Sequence, residues 1–166
     1  VNKSSLPKVY GGFNTSLSWK GFDLSAIFAY SIGGYIYNRD ITMILHNGSL
    51  EGRDWSTEIL RRWTPENRYT DVPALSTTSN NWNSASTRFL QNNSYMRLKN
   101  LTLSYNLPKQ LISKLALSSV QVFVQGDNLF TVHRNQGLDP EQGITGITYY
   151  RYPAMRTISG GINLSF

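Results

Sequence analysis

The chain has 166 residues, no cysteine and a net charge of +6, so a disulfide framework and a thiolate metal site are excluded. The basic residues are scattered, with only Arg61 and Arg62 adjacent and no basic stripe interleaved with aromatics, which argues against nucleic acid as a partner. Mean hydropathy of −0.33 resembles that of a water-soluble domain, yet apolar-out, polar-in alternation averages away over a long window, and the only membrane structure the sequence excludes is a transmembrane helix, because it has no run of eighteen apolar residues.

Val1 to Pro7 has no secretory leader pattern, and the expectation is that the chain starts within a longer protein. The first predicted strand covers residues 8–19. It sets Val9, Gly11, Phe13, Thr15, Leu17 and Trp19 on one face and Tyr10, Gly12, Asn14, Ser16 and Ser18 on the other. Lys20-Gly21 predicts a tight hairpin turn. The second strand, residues 22–31, continues the apolar face with Phe22, Leu24, Ala26, Phe28 and Tyr30, while Ile27 and Ala29 blur its polar face.

A long connection follows, over residues 32–94. Tyr35 to Leu45 reads as a short helix or a further extended piece, and Trp55 to Trp63 as a helical turn or two stopped by Thr64-Pro65. The third strand, residues 95–106, opposes Leu101, Leu103 and Tyr105 to Asn100, Thr102, Ser104 and Asn106. Pro108 opens an amphipathic turn with Leu111, Ile112 and Leu115 on one side. The fourth strand, residues 118–128, sets Val120, Val122 and Val124 against Ser119, Gln121, Gln125 and Asp127, with Phe123 out of place among the polar side chains. The fifth covers residues 155–166. Arg156, Ile158, Gly160, Ile162, Leu164 and Phe166 share one face; Thr157, Ser159, Gly161, Asn163 and Ser165 share the other.

The connections run short, very long, medium, long, so both long ones (residues 32–94 and 129–154) lie at the same end of the strands. Outer-membrane barrels have this parity, with short periplasmic turns and long extracellular loops. Trp19, Phe22, Tyr105 and Phe166 mark the short-turn end and Tyr30 and Tyr95 the other, as two membrane girdles require. The fold class expected is all-β: antiparallel strands of a large transmembrane β-barrel with long extracellular loops. Five strands are too few to close such a barrel, since the smallest have about eight. The competing fold is a soluble β-sandwich, a carbohydrate-binding module whose core holds the same aromatics.

Tyr95 to Pro108 (YMRLKNLTLSYNLP), Gln121 to Phe130 (QVFVQGDNLF), Gly137 to Glu141 (GLDPE), Tyr152-Pro153, Arg156-Thr157 and the final Phe166 resemble, in this order, the SusC/RagA family of TonB-linked outer-membrane transporters. Gly11-Gly12-Phe13 and Ser18 to Leu24 (SWKGFDL) resemble it too. The resemblance implies the C-terminal segment of a barrel of about 22 strands around a plug. It implies import of oligosaccharides or peptides across the bacterial outer membrane, with a SusD-like surface lipoprotein as lid. It implies energy from the TonB complex through an N-terminal part not among these residues. The rest of the barrel, the plug and the lipid bilayer are then the partners, and neither a cofactor nor catalysis is expected.

Several residues are candidates for function. Trp55, Trp63, Tyr69 and Trp82 in the long connection have ring faces suited to stacking on sugars, with Asn80, Asn81 and Asn83 as hydrogen-bonding neighbours. Asn14, Ser16, Ser25, Asn100, Thr102, Gln121, Asp127 and Asn163 are expected to face the lumen. Gly126 suits a bulge or a close approach in the wall. Asp139 and Glu141 flank Pro140 and read as a turn. His46 and His133 are isolated, and no arrangement of nucleophile, base and orienting group is visible.

Overall fold

The computed structural model describes residues 2–46, 52–76, 78, 84–113, 117–135, 137, 139–141 and 143–166. In chain order the elements are β1 (Pro7–Trp19), β2 (Phe22–Gly33), β3 (Tyr35–Asn38), α1 (Arg39–Ile44), β4 (Leu90–Asn92), β5 (Tyr95–Asn106), α2 (Lys109–Ile112), β6 (Ser119–His133), β7 (Ile147–Thr148) and β8 (Thr157–Ser165), with 3-10 turns at Thr57–Arg61 and Thr87–Phe89. They group into two units. One holds Pro7–Gly33, Asn93–Pro140 and Tyr152–Phe166; the other holds Val1–Leu6, Gly34–Asn92 and Glu141–Arg151.

The first unit is a five-stranded antiparallel sheet in the order β1-β2-β5-β6-β8. β1 and β2 are joined by a two-residue turn in which Lys20 (φ 46°) and Gly21 (φ 87°) both take positive φ, the geometry that matches the twist of a hairpin. Register then aligns the alternating faces of all five strands. Trp19, Phe22, Tyr105, Val122 and Ile162 form one cross-strand row, and Leu17, Leu24, Leu103, Val124 and Gly160 the next. On the opposite face Ser16, Ser25, Thr102, Gln125 and Ser159 stand in line, beside Asn14, Ile27, Asn100, Asp127 and Thr157. The apolar rows are not covered: Leu17 is 67%, Leu103 42% and Ile158 72% exposed. Aromatic pairs Phe13–Phe28 (centroids 4.7 Å apart) and Phe22–Tyr105 (4.5 Å) tie neighbouring strands across this face.

Halfway up the sheet the register shifts. Ile27 faces Asn100 but Phe28 faces Leu98, leaving Lys99 as an extra residue in β5. β6 matches it with two extra residues, Asn128 and Leu129, since Asn100 faces Asp127 and Leu98 faces Phe130. Asn128 takes the left-handed conformation (φ 53°). This carries β6 on to His133, past the end expected at residue 128. Leu129 folds onto Gly126, where a Cβ would stand 2.7–2.9 Å from its side-chain carbons. The odd placement of Phe123 has a similar cause. It pairs with Gly161, and a Cβ there would lie 2.9 Å from the Phe123 ring, so the ring covers the bare backbone of its neighbour.

In the second unit, β3 pairs antiparallel with β4 and parallel with β7. The stretch expected to be helical or extended is both. Asn38 ends β3 in an extended conformation and its side chain accepts the Ile41 N–H, capping α1. Trp55 to Trp63 contains the 3-10 turn Thr57–Arg61, capped by Ser56. Ile59 and Val72 pack together as a small apolar core, and Tyr37 meets Phe89 edge-on with centroids 6.2 Å apart. Leu115 lies outside the described residues.

Because Gly126 serves Leu129, Gly126→Ala is expected to destabilise the folded protein by about 1–3 kcal/mol through overpacking. Adding Leu129→Ala should relieve part of that loss. Thermal unfolding followed by circular dichroism measures both.

Candidate functional site

The polar face of the five-stranded sheet is a connected network. Asn100 Nδ2 donates to Asp127 Oδ1 at 2.7 Å, Thr102 Oγ1 donates to Asn100 Oδ1 at 2.9 Å, and Gln125 Nε2 reaches both Asp127 oxygens. Nearer the short-turn end, Asn163 Nδ2 donates to Gln121 Oε1 at 3.1 Å, Gln121 Nε2 donates to Ser104 and Asn106, and Asn106 Nδ2 donates to Asp23. Register thus brings Asn14, Ser16, Ser25, Asn100, Thr102, Gln121, Asp127 and Asn163 to one face. Ile27 is an apolar residue among them.

Of the aromatic set, Trp19, Phe22 and Tyr105 stand in one row at the short-turn end, and Phe166, after β8, is exposed. Tyr30 stands at the other end of the apolar face, beside Gly11. Tyr95 does not share that face. The extra residue Lys99 inverts the alternation above it, so Tyr95 pairs with Ser31 and His133 on the polar side, while Met96 and Leu98 take the apolar one.

The same inversion turns Arg97 to the polar side, into the most elaborate contact of the sheet. Its Nη2 lies 2.6 Å from Asp139 Oδ1, and the two side chains are only 4% and 8% exposed. Arg97 Nε donates to Thr131 Oγ1 at 2.9 Å, and Asp139 Oδ2 accepts the Ala154 N–H at 2.7 Å. Asn93 Nδ2 donates to the Pro140 carbonyl (2.9 Å), Asn135 Nδ2 donates to Asn93 Oδ1 (3.1 Å), and His133 Nδ1 donates to the Asn135 carbonyl (2.9 Å). Asp139, expected only as a turn residue, is therefore a buried ion-pair partner. Beside this pair opens a cleft of about 470 Å3, lined among others by Asn128, Thr131, His133, Ala154 and Arg156.

The candidate ligand-stacking residues are not brought together. Trp55 meets the fully buried His46 edge-on, with centroids 5.3 Å apart. Trp63 is bonded through its backbone N–H to the Val72 carbonyl and keeps a partly exposed side chain; Tyr69 is fully exposed. Trp82, with Asn80, Asn81 and Asn83, lies outside the described residues. A separate cleft of about 430 Å3 in the second unit involves Asp40, Met43, Arg53, Asp54 and Tyr150 instead. There Asp40 accepts the Tyr150 N–H, and Arg39 lies over the Tyr149 ring. Among the described residues, no three acidic or histidine side chains are grouped to hold a metal ion.

Removing one partner of the buried pair leaves the other charge uncompensated. Arg97→Met is expected to cost about 3–5 kcal/mol in denaturant unfolding. The double variant Arg97→Met/Asp139→Leu should recover most of that loss.

No family model matches the chain. Among curated proteins it is 34% identical over 166 residues to TonB-dependent receptor P3 of Formosa agariphila, covering 93% of this chain and 16% of that protein. It is 31% identical over 173 residues to TonB-dependent receptor P26 of the same organism, covering 98% and 17%. Among solved structures, the RagAB peptide transporter superimposes with a TM-score of 0.89 at 36% identity, over 100% of this chain and 18% of that one. The RagAB peptide importer matches in its open-open state at 0.88 and in its closed-closed state at 0.86, both at 36% identity. The chain thus spans less than a fifth of the length of each of these relatives. With its one-sided antiparallel sheet, an all-β piece of barrel wall, the chain belongs to the SusC/RagA family of TonB-dependent receptors.

Proposed function

We propose that the chain supplies wall and extracellular loops to a TonB-dependent nutrient importer of the bacterial outer membrane, and that it has no enzymatic activity. The observation that carries this reading is the apolar face. It runs in register across five strands, lies exposed, and backs directly onto a hydrogen-bonded polar face. β2 and β5 have 12 residues each, enough for a tilted strand to cross a bilayer, which takes about 9–11. In this reading the apolar rows meet lipid and the polar network lines the lumen. The remaining strands and plug come from the rest of the transporter. A SusD-like surface lipoprotein covers the outer mouth, and the TonB complex acts through a segment outside these residues.

The cargo is a bulky nutrient, oligosaccharide or peptide. The relatives described as RagAB are peptide transporters and importers, which supports a peptide. The sandwich alternative gains no support, because a sandwich would bury the rows that are exposed here.

Leu103→Arg, on the apolar face of a central strand, is expected to cost about 2–4 kcal/mol at mid-bilayer and to deplete the heat-modifiable outer-membrane band of the full-length protein. Ser159→Arg, on the polar face, should assemble normally. Loss of both variants alike, or normal assembly of both, would contradict a lipid-facing wall. Trp63 and Tyr69 are exposed, which supports a role for their rings in stacking on a ligand. Alanine at either should slow growth on the imported nutrient with no change in the amount of assembled barrel.

A further inference from the structure

The hairpin turn between β1 and β2 carries a lysine where the backbone does not favour one. Lys20 takes φ 46° at the first position of the two-residue turn, and this left-handed conformation is usually left to asparagine, aspartate or glycine. The turn itself is well fixed. Gly21 follows at φ 87°, its carbonyl accepts the Asn106 N–H at 2.8 Å, and a Cβ on it would stand 3.2 Å from the Tyr105 ring. A residue held at an unfavourable angle by its surroundings points to a task for its side chain.

That side chain is exposed but has a defined place. Lys20 Nζ lies 5.0 Å from the centroid of the Trp19 ring, a cation–π contact. Trp19 stands on the apolar face, where it pairs with Phe22, and Phe22 stacks on Tyr105. The ring contact thus brings the ammonium to the apolar side of the sheet. Asp23, the nearest carboxylate in the sequence, is committed elsewhere: the Ser18 hydroxyl donates to one of its oxygens and Asn106 Nδ2 to the other. The five strands set no acidic residue on the apolar face, and among the described residues Lys20 forms no ion pair.

We propose that Lys20 and Trp19 form a binding site for the phosphate of an anionic phospholipid at the short-turn end of the wall. The proposal rests on reading the apolar rows as lipid-facing. In that arrangement the row of Trp19, Phe22 and Tyr105 lies at the headgroup boundary, where amphipathic rings settle, and Lys20 is the next residue outward. An ammonium has three donors; the indole face occupies one side of it and leaves the rest for phosphate oxygens. A zwitterionic lipid brings its own cation with its phosphate, so the site favours an anionic headgroup.

The test is fluorine NMR of the full-length transporter in neutral detergent, labelled with fluorotryptophan, with the Trp19 signal assigned by its loss in Trp19→Phe. Three probes are titrated: dihexanoyl phosphatidylglycerol, dihexanoyl phosphatidylcholine and inorganic phosphate. The Trp19 signal is expected to respond to phosphatidylglycerol at about fivefold lower concentration than to phosphatidylcholine, the worth of one lysine near an anionic headgroup, and far more weakly to inorganic phosphate. Lys20→Asn, which suits the turn at least as well, should abolish the difference with the heat-modifiable band intact, while Lys20→Arg should keep it. An equal response of the wild type to both lipids overturns the proposal, as does a preference that survives Lys20→Asn. A response to inorganic phosphate as strong as that to phosphatidylglycerol overturns the lipid as ligand. If neither lipid moves the signal, the lipid-facing wall fails together with the site; an equal response to both leaves the wall standing and removes the site alone.

Discussion

A slip of one residue between β2 and β5 would carry Leu24, Ala26 and Phe28 to the side of Thr102 and Asn100, and every later strand would inherit the error. Side chains alternate with a period of two, so register alone decides which residues form the apolar surface and which the hydrogen-bonded one. The sheet fixes register by several local means. A hairpin turn with two positive φ angles starts it, stacked Phe13 and Phe28 lock β1 to β2, and Phe22 on Tyr105 locks β2 to β5. Polar side chains bonded strand to strand hold the opposite face.

The register shift shared by β5 and β6 lies where the chemistry gathers. The extra residue in β5 and the two extra residues in β6 exchange the faces of β5 above the bulge while keeping those of β6. Arg97 is thereby moved from the apolar side to the polar one, where Asp139 and Thr131 receive it. Bulges commonly re-aim a side chain in this way. Here the displaced residue is a cation, which on the apolar side would have no partner. The buried pair is a poor source of net stability. Its value is positional, because Asp139 also grips the backbone at Ala154.

Alternation made the five strands and the face of each polar residue from Asn14 to Asn163 legible in the sequence, because it persists for many residues on each strand. Lys20-Gly21 was legible as a turn because few dipeptides accept that conformation. The bulge was not. One inserted residue between Leu98 and Asn100 resembles ordinary noise in a short pattern, and it is enough to misplace Tyr95. Asp139 read as a turn residue because its partner is 42 residues away, beyond any local signal. A clue was present, however, in Arg97 flanked by Met96 and Leu98: a lone arginine in an apolar stretch of strand has to be compensated somewhere. Phe123 is anomalous in the sequence because Gly161, the residue it covers, is 38 positions away and pairs with it only in the folded sheet. The tryptophans of the long connection have rings suited to stacking, which says nothing about assembly, and Trp55 is engaged with His46.

The bond from Asp139 to Ala154 also bears on how such a chain can diversify. It brings together two points separated by fourteen intervening residues, 140 to 153, so the wall is held at both feet of that stretch whatever lies between them. Doubling the length of such a closed segment costs only about 0.6 kcal/mol. Insertions and deletions between the feet are then nearly neutral for the wall, while substitutions at the feet are not. Length can therefore change between the feet without altering the register of the five-stranded sheet.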